Sequence, residues 1–94
     1  MRKAVFTARW RKPFVISLFD YAGLSRSQFI YGIEWLPEDL SVRRGKLSRR
    51  QRQDLVELCR RLIAEPIIEV DPNQAKQLLS WLRAARFVRL QFHA

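Results

Sequence analysis

The stretch from Leu47 to Glu65, LSRRQRQDLVELCRRLIAE, constrains the fold more than any other part of the chain. Ser48 is a good helix N-cap, and Gln51 follows three residues later as in a capping box, so the spacing predicts a helix starting there. Leu55, Leu58, Cys59, Leu62 and Ile63 recur at helical spacing on one face, with Val56 on its flank. Pro66 ends the pattern. The other side carries Arg49, Arg50, Arg60 and Arg61, with Arg43, Arg44 and Lys46 leading in. A helix of this kind needs an apolar layer to cover one face and presents positive charge on the other.

The flanking segments supply that layer. Residues 3 to 10 alternate, which predicts a strand, and Arg11, Lys12 and Pro13 break it. Phe14 to Phe19 is a short aromatic and β-branched run that predicts a second strand. Asp20 to Ser27 reads as a loop centred on Gly23, with Ser25 able to cap a short helix. Phe29 to Leu36 reads as a third strand, in which Gly32 marks a bulge. Pro37 to Lys46 lacks either period and forms an internal basic loop over 37–47. After the long helix, Pro66 to Val70 is a short strand candidate. Asp71 then caps a second helix with Pro72 at its first position and Ala75, Leu78, Leu79, Leu82 and Ala85 as its core face. Arg86 to Phe92 alternates and closes the chain as a strand. The order is approximately βββαβαβ, an α+β two-layer sandwich in one domain spanning 1–94. A mainly α fold, with residues 14–36 as a helical hairpin, is the alternative.

Composition bounds the partners. The 94 residues carry 18 Lys+Arg against 9 Asp+Glu, a net charge of +9, and 14 of the 18 cations are arginines. Such a balance favours polyanions, and guanidinium forks suit phosphate or carboxylate. The single cysteine, Cys59, allows no internal disulfide and fits a reducing compartment. The scattered charges of MRKAVFTARWRK do not make a signal peptide, and no apolar run approaches a membrane span. A cytoplasmic protein that makes no membrane contact is the expectation.

Groups for catalysis are scarce. One histidine, His93, stands beside the last residue, leaving no material for a histidine triad or metal cluster. Glu38 and Asp39 are adjacent in the loop and read as solvated or as partners for Arg43 and Arg44. Cys59, set among Leu58, Leu62 and Ile63, reads as an inert core thiol. No enzyme, cofactor or metal is expected.

One string, Val15 to Gly23 (VISLFDYAG), resembles the first motif of cytosine-type DNA methyltransferases, where a strand ending in Leu-Phe-Asp enters a glycine-rich loop that holds the methyl donor. The resemblance spans about nine residues and implies at most a degenerate fragment of that family's parallel-sheet fold. The family's Pro-Cys nucleophile is missing, since Leu58 precedes the only cysteine.

The basic constellation is the remaining signal. Arg43, Arg44, Lys46, Arg49, Arg50 and Arg52 put six cations in ten residues at a loop-to-helix junction, where the helix dipole also attracts anions. Arg60 and Arg61 extend the set along the helix. Trp10, Phe14, Tyr21, Tyr31, Trp35 and Trp81 are the aromatics that can contribute a base-stacking platform. Two functions fit: a non-enzymatic accessory or regulatory protein that binds DNA or RNA phosphates, or a small phage-type inhibitor or adaptor that docks on an acidic protein or nucleoprotein complex. A sequence-reading helix-turn-helix is disfavoured by the long, β-like PIIEVD segment between the two helices. A homodimer through an edge strand, either the first or the terminal one, is also expected.

Overall fold

The computed structural model describes residues 2–36 and 45–93. Its elements are β1 (Lys3–Thr7), β2 (Phe14–Ser17), α1 (Leu18–Tyr31), β3 (Gly45–Lys46), α2 (Arg49–Ala64), α3 (Pro72–Ala84) and β4 (Arg89–His93). The four strands form one antiparallel sheet in the order β2-β1-β4-β3. Helix makes up 51% and strand 19% of the described residues, a small α+β fold.

Strand alternation decides which side of the sheet is covered. Ala4 pairs with Ile16 and Phe92, and Phe6 with Phe14 and Leu90, so these six side chains share one face. Ala4, Phe6, Ile16 and Leu90 are buried there. Tyr21 of α1 meets the Phe92 ring edge-on at 5.3 Å, and Trp81 of α3 packs 6.4 Å from both Phe6 and Phe14. Helix α2 joins the same core through Leu55, Leu58, Cys59 and Leu62. The opposite face, with Lys3, Val5, Thr7, Val15, Arg89 and Gln91, carries no helix among the described residues.

The two amphipathic helices form where their caps and periods predict. The Ser48–Gln51 capping box closes reciprocally at 3.0 and 2.9 Å. Asp71 accepts the Asn73 N–H at 2.9 Å, with Pro72 at the first helical position. Ala75, Leu78, Leu79, Leu82 and Ala85 are all buried, as their spacing requires.

The middle of the chain differs from the expectation. Residues assigned to a second strand's end, a loop and a third strand form one continuous helix, α1. Ser17 caps it, not Ser25, which is buried within it. Gly32 is no bulge: at φ 79° it ends the helix, and the N–H groups of Gly32 and Ile33 both reach the Gln28 carbonyl. The amphipathic signal is absent because α1 buries Ser25, Ser27 and Gln28 while exposing Phe19, Phe29 and Ile30. Ser27 satisfies its hydroxyl on the Leu24 carbonyl at 2.6 Å. Gly23 explains how this side can pack inward. A Cβ there would collide with the Glu69 carbonyl oxygen, so the glycine lets α1 lie against the 66–70 backbone. The methyltransferase-like string is therefore a strand entering a helix in an antiparallel sheet, without a glycine-rich loop.

Two further elements depart from the expected order. Pro66 to Val70 is a turn joining α2 to α3, held by the Val70 N–H on the Ile67 carbonyl, and among the described residues it pairs with no strand. Gly45 and Lys46, expected to be loop, form β3 against Leu90 and Arg89. β1 is flanked on both sides, by β2 and β4, whereas β4 is paired on its other side only at Arg89 and Leu90 among the described residues. Among the described residues no helix is long and apolar enough to cross a membrane.

Candidate nucleic-acid interface

Three segments distant in sequence meet at one end of the sheet. Thr7, the last residue of β1, is opposite Arg89, the first of β4, and Arg89 is opposite Lys46 of β3. The β1–β2 hairpin tip, the start of α2 and the α3–β4 connection thus all project beyond the same rung. The tip brings Arg9, Arg11 and Lys12. The entry to α2 brings Lys46, Arg49, Arg50 and Arg52, and the α3–β4 connection brings Arg83, Arg86 and Arg89. Ten of the 18 cations gather here, and none of these segments contains an acidic residue. Asp54 follows Arg52 by two residues, and Glu57, Glu65, Glu69 and Asp71 lie along the second half of α2 and the turn to α3, at the other end of the helices. Along α2 and its flanks the described charges thus shift from basic to acidic.

A cleft of about 970 Å³ opens between the entry to α2 and the α3–β4 connection, lined by Lys46, Arg49, Arg52, Arg83, Arg86 and Phe87 among others. The Leu47 N–H on the Val88 carbonyl, at 2.8 Å, joins its two walls. Ser48 caps α2 at its mouth, so the positive end of that helix dipole adds to the field. Lys46 and Arg89, directly opposite on the uncovered sheet face, are like charges whose repulsion costs stability unless an anion neutralises it. Among the described residues the one ion pair is Arg61 with Glu57, at 3.4 Å, so none of the described cations at this end is held in an ion pair.

The expected site residues divide. Lys46, Arg49 and Arg50 are exposed at this end. Arg52 belongs to the architecture: its Nη2 donates to the Leu82 carbonyl near the end of α3, and its buried Nε has no partner among the described residues. Arg60 and Arg61 are not brought together with these. Arg61 lies about 18 Å further along α2, donates to Glu57 and to the Tyr31 carbonyl, and stacks 5.6 Å from the Tyr31 ring. Arg43, Arg44, Glu38 and Asp39 lie outside the described residues. Arg9, Arg11, Lys12, Arg83, Arg86 and Arg89 were not singled out from sequence, because each belongs to a different local element and forms no run.

The aromatic set divides too. Of the six proposed for stacking, Tyr21 and Trp81 are buried, Phe14, Tyr31 and Trp35 are half-buried, and Trp10 alone is exposed, at 89%. Phe87, absent from that set, is 70% exposed at the rim of the cleft. The Cys59 thiol is fully buried, and burial pushes its pKa up to about 12. No group of three or more His, Cys, Asp or Glu side chains among the described residues is placed to hold a metal. His93 is exposed at the far end of the sheet, opposite Lys3. Comparison of the chain with protein-family models, curated proteins and solved structures finds no match to any of them.

Proposed function

We propose that this protein is a non-enzymatic nucleic-acid-binding accessory or regulatory protein, which grips phosphates with the basic end of its sheet. The observation that carries the reading is the convergence of ten cations from three segments that contain no carboxylate. A cationic cluster of this size attracts a polyanion, and its arginines suit bidentate phosphate contact. Lys46, Arg49, Arg50, Arg83, Arg86 and Arg89 are the contacts of the reading. Arg52 supports them from behind. The reading includes a cytoplasmic location, in keeping with the lone unpaired thiol of Cys59.

The test is a salt titration of binding to labelled single- and double-stranded DNA and RNA. With four or five phosphates engaged, log affinity against log salt should fall with a slope of about −3 to −5. Arg49→Ala and Arg86→Ala should each flatten it by roughly 0.7 to 0.9. Binding that is absent, or indifferent to salt, overturns the reading.

A second reading, an adaptor or inhibitor of the phage type that docks on an acidic protein, draws on α1. Leu18, Phe19, Ala22, Phe29 and Ile30 line its exposed side, with Arg26 among them. Apolar side chains grouped in this way are characteristic of contact with another protein, and Arg26 would favour an acidic group opposite. Light scattering separates self-association from capture of another chain. A homodimer through α1 belongs to this reading. Phe29→Lys should abolish either form of association without altering nucleic-acid binding.

A further inference from the structure

Two residues other than glycine adopt a left-handed backbone among the described residues: Trp10, at φ 65°, and Phe87, at φ 53°. Bulky side chains rarely adopt this conformation, which persists only where the surrounding structure holds it and clusters at ligand-binding sites. Both residues are aromatic, and both stand largely in solvent. Each also has a cation against its ring: the Arg9 guanidinium lies 5.2 Å from the Trp10 centroid, and Lys46 Nζ lies 4.4 Å from the Phe87 centroid.

The sheet register brings the two rings to the same end. Trp10 follows Thr7 by three residues and Phe87 precedes Arg89 by two, and Thr7 and Arg89 are opposite one another. Since the chain spans at most about 3.6 Å per residue, both rings flank this rung. Phe87 lines the cleft together with Lys46, Arg49 and Arg86, and Trp10 stands on the hairpin tip beyond the same rung.

Resting on the phosphate-binding reading above, we infer that the ligand is single-stranded nucleic acid, with unpaired bases stacked on Trp10 and Phe87 while the cleft holds the intervening phosphates. The chemistry follows from the pairing of ring and charge. A cation occupies one face of an aromatic ring, the other face receives a base, and the same cation lies within reach of that nucleotide's phosphate. In a duplex the base faces are covered by their stacked neighbours, so the two rings have nothing to receive there. In a single strand every base offers a face, and recognition by stacking tolerates any sequence.

The experiment uses the whole chain and labelled oligothymidylate and oligouridylate of about 12 nucleotides, with an abasic strand and a duplex of the same length. The base-bearing strands should bind about tenfold more tightly than the abasic strand. Trp10→Leu and Phe87→Leu should each cost roughly tenfold on base-bearing strands, leaving the salt slope and the affinity for abasic strand and duplex unchanged. Trp10→Phe and Phe87→Tyr, which keep a flat ring, should stay within about twofold. Tighter binding of either base-bearing strand supports the inference and names the preferred sugar. Equal binding of base-bearing and abasic strands, with no effect of the Leu variants, overturns stacking and leaves the phosphate reading standing. Failure of all four probes to bind at low salt overturns the phosphate reading itself, and the inference with it.

Discussion

The indole N–H of Trp81 in α3 donates a 2.8 Å hydrogen bond to the backbone carbonyl of Lys12, 69 residues away at the tip of the β1–β2 hairpin. The same indole packs against Phe6 and Phe14, one on each strand of that hairpin. One side chain therefore holds the basic tip against the end of the helix that delivers Arg83 and Arg86. The basic end depends on this tertiary contact as much as on its charges.

Trp81→Phe preserves most of the ring packing and deletes the hydrogen bond, leaving the Lys12 carbonyl without its partner. The expected loss is about 1–3 kcal/mol by denaturant unfolding. Amide exchange of residues 8–12 should accelerate more than that of α2, and nucleic-acid affinity should drop although no cation has been removed.

Arg52 should behave differently from its neighbours in sequence. Its guanidinium reaches the Leu82 carbonyl, whereas Arg49 and Arg50 are exposed and unpaired among the described residues. Arg52→Ala should lower stability by about 1.5–3 kcal/mol, as for loss of a charged hydrogen bond. Arg49→Ala and Arg50→Ala should stay within about 0.5 kcal/mol of wild type. Thermal unfolding of the three variants, run beside binding isotherms, checks the division; equal stabilities would contradict it.

Gly23→Ala tests the approach of α1 to the turn between α2 and α3. Alanine favours helix by up to about 1 kcal/mol over glycine, yet its methyl would overlap the Glu69 carbonyl oxygen, which belongs to backbone. The clash should dominate, with a net loss of about 1–3 kcal/mol as for overpacked cores. A variant as stable as wild type would show that the turn yields.

The Cys59 thiol makes stability depend on alkaline pH. Its ordinary pKa is 9.0, and burial raises it to about 12 in the folded protein. Because the folded state keeps its proton longer, this contribution is fully present below pH 9 and declines as pH rises from 9 towards 12, by at most about 1.4 kcal/mol per unit. Denaturant unfolding of wild type and Cys59→Ala at pH 8 and pH 10 isolates it, with the larger loss expected in wild type. At pH 8 the native thiol should also resist alkylation until the protein is unfolded.

How legible the fold was follows from where each residue's environment is decided. Ser48 with Gln51, and Asp71 with Pro72, fix helix starts through contacts within four residues, and Leu55 to Leu62 and Ala75 to Leu82 are periodic enough to select the buried face. Those elements could be read directly. α1 could not be read, because Ser25, Ser27 and Gln28 turn inward and Phe19, Phe29 and Ile30 outward. No period in the chain reports a helix whose polar side is buried. PIIEV carries strand-forming residues, but a strand exists only beside a partner, and here the segment spans the gap between packed α2 and α3.

The sequence by itself determined the caps, the two amphipathic helices, the first and last strands and the excess of positive charge, because these rest on local geometry or on composition. Only the tertiary structure decided which charges lie together. Antiparallel pairing set Thr7, Arg89 and Lys46 in one row and so joined three segments into one basic end, while the length of α2 carried Arg60 and Arg61 away from Arg49. It also decided which aromatics are exposed: Trp81 turned into the core, while Trp10 and Phe87 were held outside it by backbone that no propensity favours. Proximity between residues far apart in the chain is a property of strand register and helix packing, and it exists only once the fold has closed.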